Sequence, residues 1–139
     1  MLAPVLDRLF AASLGSKAFA EEKGERRAIA CRTPPSKGIT VVSSRSHGDA
    51  AALRCFLAER SVLRSVSAGS SLKFCLVASG EADLYPRLGQ TMEWDTAAGH
   101  AVLTAAGGRV VDLSGTDLTY GKPDFANPHF VAMGPSANA

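Results

Sequence analysis

The chain has 139 residues, 46% of them hydrophobic, enough for one domain with a buried core and too apolar for a disordered chain. A charged fraction of 20% and a net charge of +2 argue against non-specific nucleic-acid binding, which needs clustered Lys and Arg, but leave room for a small anion held by a few cations. No apolar run approaches the roughly 20 residues needed to cross a bilayer, and Asp7 and Arg8 interrupt the start before any leader-like apolar stretch forms.

Met1 to Ala12 reads as half an element, with Leu6, Leu9 and Phe10 asking for burial. Leu9 to Ala12, Ala18 to Glu21 and Arg26 to Ala30 are short strand candidates. Gly15-Ser16 and Lys23-Gly24 supply turns, so a β-meander is expected. Thr33 to Gly38 is a loop by its Pro and Gly content, and the β-branched run Ile39 to Ser43 is a buried strand. Asp49 can cap a helix from Ala50 to about Arg60 with Ala52, Leu53, Phe56 and Leu57 on its apolar face. Ser61 to Ser67 is a connector or short strand. Gly69-Ser70-Ser71 opens a second helix, Leu72 to Ala78, closed by Ser79-Gly80. Ala82 to Tyr85 is a strand stopped by Pro86. A third helix runs from about Glu93 to Ala106, ended by Gly107-Gly108, and strands follow at Arg109 to Asp112 and Phe130 to Met133. Helices alternating with strands after residue 38 imply an α/β or α+β domain, helices packed on a mixed sheet. Cys31, Cys55 and Cys75 show no C-x-x-C spacing. Free thiols in a reducing cytosol are expected, with Cys55 and Cys75 in the core.

The stretch Trp94-Asp95-Thr96-Ala97-Ala98-Gly99, followed by Ala106-Gly107-Gly108, carries the most chemistry. Asp95 falls in the first turn of the third helix, where the helix dipole favours a carboxylate. A carboxylate there suits magnesium, which takes one or two carboxylates along with substrate phosphate oxygens. Ala97, Ala98 and Gly99 allow close packing on a neighbour. Taken alone, the same pattern also describes an ordinary helix start with a small-residue packing face.

The order Trp-Asp-x-Ala-Ala-Gly, then Ala-Gly-Gly, resembles the second signature of the inositol monophosphatase superfamily. Those enzymes remove phosphate from small sugars and nucleotides with magnesium. The resemblance implies that Asp95 is a metal ligand that also contacts substrate. The family often carries Glu where Ala105 stands here. Two further segments, Val42-Ser43-Ser44-Arg45-Ser46-His47 and Gly69 to Ala78 continuing to Ala82-Asp83-Leu84-Tyr85-Pro86-Arg87, look very like the 3'(2'),5'-bisphosphate nucleotidases of the CysQ type. The likeness runs from near residue 1 to about residue 133. It implies the carboxyl-terminal part of a layered α-β-α-β-α sandwich. Residues 1–30 would be a strand and meander remnant from between the domains, and residues 31–139 the α/β substrate-binding domain.

The residues suit that substrate class. Gly69-Ser70-Ser71 puts backbone N–H groups and hydroxyls at a helix start, where anions bind. Lys73 can supply a point charge and Arg87 a forked contact. His47 stands at a strand-to-helix junction. The resemblance assigns nucleotide contacts to His47, Ser70, Lys73 and Arg87, alongside Asp95. Without it, Ser70 is a helix cap, Lys73 and Arg87 are solvated surface charges, and His47 is a loop residue. His100 reads as helix surface and His129 as loop.

The family's other metal ligands, a Glu that orients the attacking water and an Asp-Pro-x-Asp-Gly-Thr motif, are not in this sequence. The expectation is a chain that starts after the amino-terminal domain and has no significant phosphatase activity alone. Completed, it would convert adenosine 3',5'-bisphosphate to AMP, and 3'-phosphoadenylyl sulfate to adenylyl sulfate, in sulfate assimilation. The expected partners are a small nucleotide and either the missing domain or a second copy, with no nucleic acid. The expected place is the cytoplasm, with the inner-membrane surface as a secondary location. Competing readings are an inositol or sugar monophosphatase of the same superfamily and a non-catalytic nucleotide-binding module.

Overall fold

A computed structural model describes residues 1–13, 15–44 and 50–135. In chain order the strands are β1 (Leu2–Ala3), β2 (Arg8–Ala11), β3 (Phe19–Glu22), β4 (Glu25–Ala28), β5 (Ile39–Ser43), β6 (Val62–Ser67), β7 (Leu84–Arg87), β8 (Thr91–Met92), β9 (Arg109–Asp112), β10 (Ala126–Asn127) and β11 (Phe130–Met133). The helices are α1 (Ala50–Leu57), α2 (Leu72–Ala78) and α3 (Glu93–Ala105), and a 3-10 turn spans Pro4–Leu6.

Strands β1 to β4 form an antiparallel meander, tightened by Lys23 and Gly24 at positive φ. A second, mixed sheet has the order β6-β5-β7-β11-β9, with β5 parallel to both β6 and β7 and β11 antiparallel to both its neighbours. Helices α2 and α3 lie between the two sheets. Ala18 N–H bonds the carbonyl of Ala105, and Cys31 N–H that of Ala106, at 3.5 and 2.9 Å. Phe10, Ala18, Ala20 and Ile29 of the meander share one core with Phe74, Cys75 and Val77 of α2, Val102 and Leu103 of α3, and Tyr85 and Phe130 of the sheet. On the sheet's other face Val41, Leu84, Val111, Val131 and Met133 are covered in part by Phe56 and Leu57 of α1. All four residues of β11 are buried, as a central strand covered on both faces requires. The expected mixed α/β architecture is the one observed.

Four details differ from the sequence reading. Pro86 lies inside β7, opposite Val131. The β5 side of β7 is paired only at Leu84, so a residue without an N–H sits where no ladder bond is made. Cys55 is exposed, because α1 packs on the sheet through one stripe only and the thiol lies off it; Cys75 is buried as expected. Leu6 is exposed with Leu2 and Val5, since the 3-10 turn lifts it away from the core that Phe10 enters. Of the three small residues in α3, only Gly99 meets a neighbour, while Ala97 and Ala98 face outward.

Candidate nucleotide and metal site

Strands β5 and β7 run parallel, and their carboxyl ends open beside the starts of α2 and α3. Crevices at such strand ends are where open α/β sheets bind ligands. Here a cavity of about 350 Å³ is lined by Ser44, Ser70, Ser71, Lys73, Phe74, Tyr85, Arg87, Gln90, Thr91, Trp94, Asp95 and Thr96. Four of the five residues expected from sequence, Ser70, Lys73, Arg87 and Asp95, therefore share one cavity. His47 lies outside the described residues.

Ser70 is not the helix cap. It adopts a left-handed φ of 52°, and Ser71 is the residue that caps α2, with no side-chain cap hydrogen bond. The turned backbone at Ser70 aims its carbonyl at Lys73, whose Nζ donates to Ser70 O at 2.7 Å and Ala68 O at 3.3 Å. Lys73 is thus no solvated surface charge: it is 2% exposed, with its ammonium 5.0 Å from the centre of the Tyr85 ring. Burial, and then the nearby Arg87, lower its pKa to about 8. An ammonium has three donors, and the two carbonyls occupy two of them. Arg87 Nη2 donates to Gln90 O at 3.0 Å, which steadies the guanidinium at the cavity.

Asp95 stands at the third position of α3. Its Oδ2 accepts the Met92 N–H at 2.9 Å, a capping bond that fixes the side chain at the helix start. The loop from Leu113 to Phe125 holds that helix end in place. Glu93 accepts the N–H groups of Gly121 and Lys122 at 2.8 and 3.0 Å and pairs with Lys122 Nζ at 2.7 Å. These bonds, the Lys122 side chain first, hold its carboxyl down at about 2. Behind it, Asn127 Nδ2 donates to Thr91 and Thr96, and the Tyr120 hydroxyl reaches Thr96 Oγ1 at 3.4 Å. His100 is not free helix surface: it is half-buried, its Nδ1 2.9 Å from the Tyr120 hydroxyl, and burial lowers its pKa. His129 is exposed, as a loop residue should be.

A metal finds one suitable donor here. Asp95 offers a carboxylate oxygen beside Lys73 and Arg87, but no group of three His, Cys, Asp or Glu side chains gathers anywhere among the described residues. Two cations and one carboxylate suit a phosphate better than they suit a bare divalent ion. The residues present fit one ligand of a metal site and do not form a cage. Sequence reasoning missed Tyr85 beneath Lys73, Thr91 and Thr96, and the Glu93 clamp. The Glu93 and Asn127 contacts join residues about 30 positions apart, and no local pattern announces them.

The sequence profile of the Inositol monophosphatase family matches residues 1–137. The chain is 50% identical over 131 residues to the 3'(2'),5'-bisphosphate nucleotidase CysQ of Escherichia coli (strain K12), covering 92% of this chain and 51% of that protein. It is 59% identical over 85 residues to an uncharacterized protein in the pss 5' region of Rhizobium leguminosarum bv. phaseoli, covering 57% of this chain and 90% of that one. Among solved structures, CysQ from Bacteroides thetaiotaomicron, a bacterial member of the inositol monophosphatase family, superposes with a TM-score of 0.80 at 33% identity, covering 97% of this chain and 56% of that one. The chain spans about half the length of the CysQ relatives it matches.

Proposed function

Because the chain belongs to the inositol monophosphatase family, we propose that it is the nucleotide-holding part of a phosphoric monoester hydrolase of the 3'(2'),5'-bisphosphate nucleotidase type. Its substrate is adenosine 3',5'-bisphosphate, with 3'-phosphoadenylyl sulfate as a second candidate. The observation that carries this reading is the convergence of Lys73, Arg87, Ser70 and Asp95 on one polar cavity, in a chain half identical to CysQ. Residues 31–139 act as the substrate-binding domain, with residues 1–30 belonging to a sheet between domains. Lys73 and Arg87 bind phosphate charge, and the Ser70–Ser71 backbone at the α2 start adds N–H donors. Asp95, pinned by Met92 N–H, orients one ligand oxygen.

Magnesium, when bound, would lower the pKa of water and neutralise the phosphoryl oxygens. Asp95 supplies one donor toward it, so the 139-residue chain alone is expected to bind nucleotide without turning it over. The apolar surface of Leu2, Val5 and Leu6 is the face we assign to the remainder of such an enzyme or to a second copy.

The test pairs calorimetry with a phosphate-release assay on the purified chain. Adenosine 3',5'-bisphosphate should bind without release of phosphate, and Lys73→Met or Arg87→Ala should abolish binding. Turnover that is lost with EDTA and with Asp95→Asn would overturn the proposed inactivity. Tighter binding of an inositol phosphate than of the nucleotide would overturn the substrate assignment.

A further inference from the structure

We infer that Trp94, backed by Phe125, is the face on which the purine base of the nucleotide stacks; the inference rests on the nucleotide reading above. Three aromatic side chains line the cavity. Phe74 and Tyr85 are 1% and 4% exposed and are committed to a triangle of ring contacts with Phe130. Trp94 is 68% exposed, on the helix turn that carries Asp95. It is the lining aromatic with an open ring face. Lys73 and Arg87 serve phosphate and Asp95 a cation, and none of them offers a base an apolar surface. Trp94 does.

Phe125 supplies an independent observation. Its ring centre lies 6.1 Å from that of Trp94, tilted by 47°, and it too stays exposed, at 49%. Its φ is +55°, a left-handed conformation rare for a bulky residue. The surroundings enforce it. Phe125 O accepts the Glu93 N–H at 2.8 Å, its own N–H bonds Lys122 O at 3.1 Å, and the next residue, Ala126, pairs with Met92. The fold accepts an unfavourable backbone to hold a large ring that it does not bury, so packing gives no return for the strain. Strain of that kind concentrates where ligands are held. Two exposed rings at the rim of a phosphate-binding cavity form a platform for a flat apolar group, and stacking on aromatic rings tolerates any base.

Trp94 is the only tryptophan in the sequence, so intrinsic fluorescence reports on this ring alone. Adenosine 3',5'-bisphosphate should change that fluorescence with the same Kd that calorimetry gives. Ribose 5-phosphate, which has a phosphate and no base, should bind without changing it. Trp94→Leu should weaken nucleotide binding by roughly 5- to 150-fold, the span expected for loss of one base–aromatic stack, and leave ribose 5-phosphate binding unchanged. Trp94→Phe should retain most of the affinity. Phe125→Gly removes the ring and relieves the positive φ, so it should weaken nucleotide binding without lowering Tm. Unchanged nucleotide affinity in Trp94→Leu, or a fluorescence that follows protein concentration and ignores nucleotide, would overturn the inference while calorimetric binding leaves the nucleotide reading standing. Absence of nucleotide binding in calorimetry would sink that reading, and this inference with it.

Discussion

Gly99→Ala probes how tightly α2 and α3 pack beneath the site. Gly99 sits on the inner face of α3, and a Cβ there would come within 2.6 Å of Phe74 Cδ2, 2.8 Å of Cγ and 3.0 Å of Cβ. Phe74 has little freedom to yield. Its ring stacks on Phe130 at 5.7 Å and meets Tyr85 edge-on at 5.1 Å, and the atoms approached include its own Cβ, which is fixed to α2. Forcing a methyl into a packed core costs roughly 1–3 kcal/mol, and this site belongs at the upper end, about 3. Against that, Ala in a helix interior is better than Gly by about 1 kcal/mol. The net expectation is a loss of about 2 kcal/mol, which at roughly 4 °C per kcal/mol for a chain of this size lowers Tm by about 8 °C. Circular dichroism melts and urea titrations measure both values. Ala98→Gly, exposed on the same helix, is the control and should cost about 1 kcal/mol from propensity alone. A Gly99→Ala chain equal to or more stable than the parent would refute the close α2–α3 packing.

Two further outcomes concern pH. The carboxyl of Glu93 is held at about 2 against an ordinary 4.5, and Asp83, buried beneath Arg32 and the Thr40 N–H, is also held below its ordinary 3.8. A depressed carboxyl contributes stability that is complete above its unfolded value and is lost as pH falls through its folded one. The urea midpoint should therefore fall between about pH 4.5 and 2, and Glu93→Gln should flatten that fall. For Lys73 the slope has the same sign but the opposite cause, since burial disfavours its charged form. Its folded pKa of about 8 lies below the ordinary 10.5, so between those values the unfolded chain binds the extra proton and stability rises with pH. Lys73→Met should abolish that rise and retain the fold. Above pH 9 the buried thiols of Cys31 and Cys75, raised to about 11 and about 12, pull the other way, so a parent chain whose midpoint runs parallel to that of Lys73→Met from pH 8 to 10.5 would contradict the burial of the ammonium.

How far the sequence could be read depended on how local the cause was. Helix α3 was legible because Asp95 marks its first turn and Gly107, at φ +86°, marks its end. Strand β5 was legible because a β-branched run has few alternatives. Pro86 misled because its tolerance depends on where β5 stops pairing, a property of another strand. Cys55 misled because apolar neighbours in a short helix do not tell which residues reach the sheet. The site followed the same division. Asp95 could be placed from its helix position, but the burial of Lys73 depends on carbonyls at residues 68 and 70 and on the Tyr85 ring, which arrives on β7.

The Glu93 clamp explains how a site built on loop ends can still be well placed. Asp95 has one fixing bond of its own, from Met92 N–H. That bond is only as steady as the helix start that carries it. Two residues earlier, Glu93 ties this start to residues 121 and 122 by its carboxylate and to Phe125 by its backbone N–H. Thr96, one residue after Asp95, is held from behind by Asn127 and Tyr120. The loop after β9 therefore braces both flanks of Asp95 without lining the cavity itself. Substitutions in that loop should act on the geometry of Asp95 and Trp94 together, because the same three elements, α3, β8 and β10, carry the strain at Phe125 and the cap at Met92.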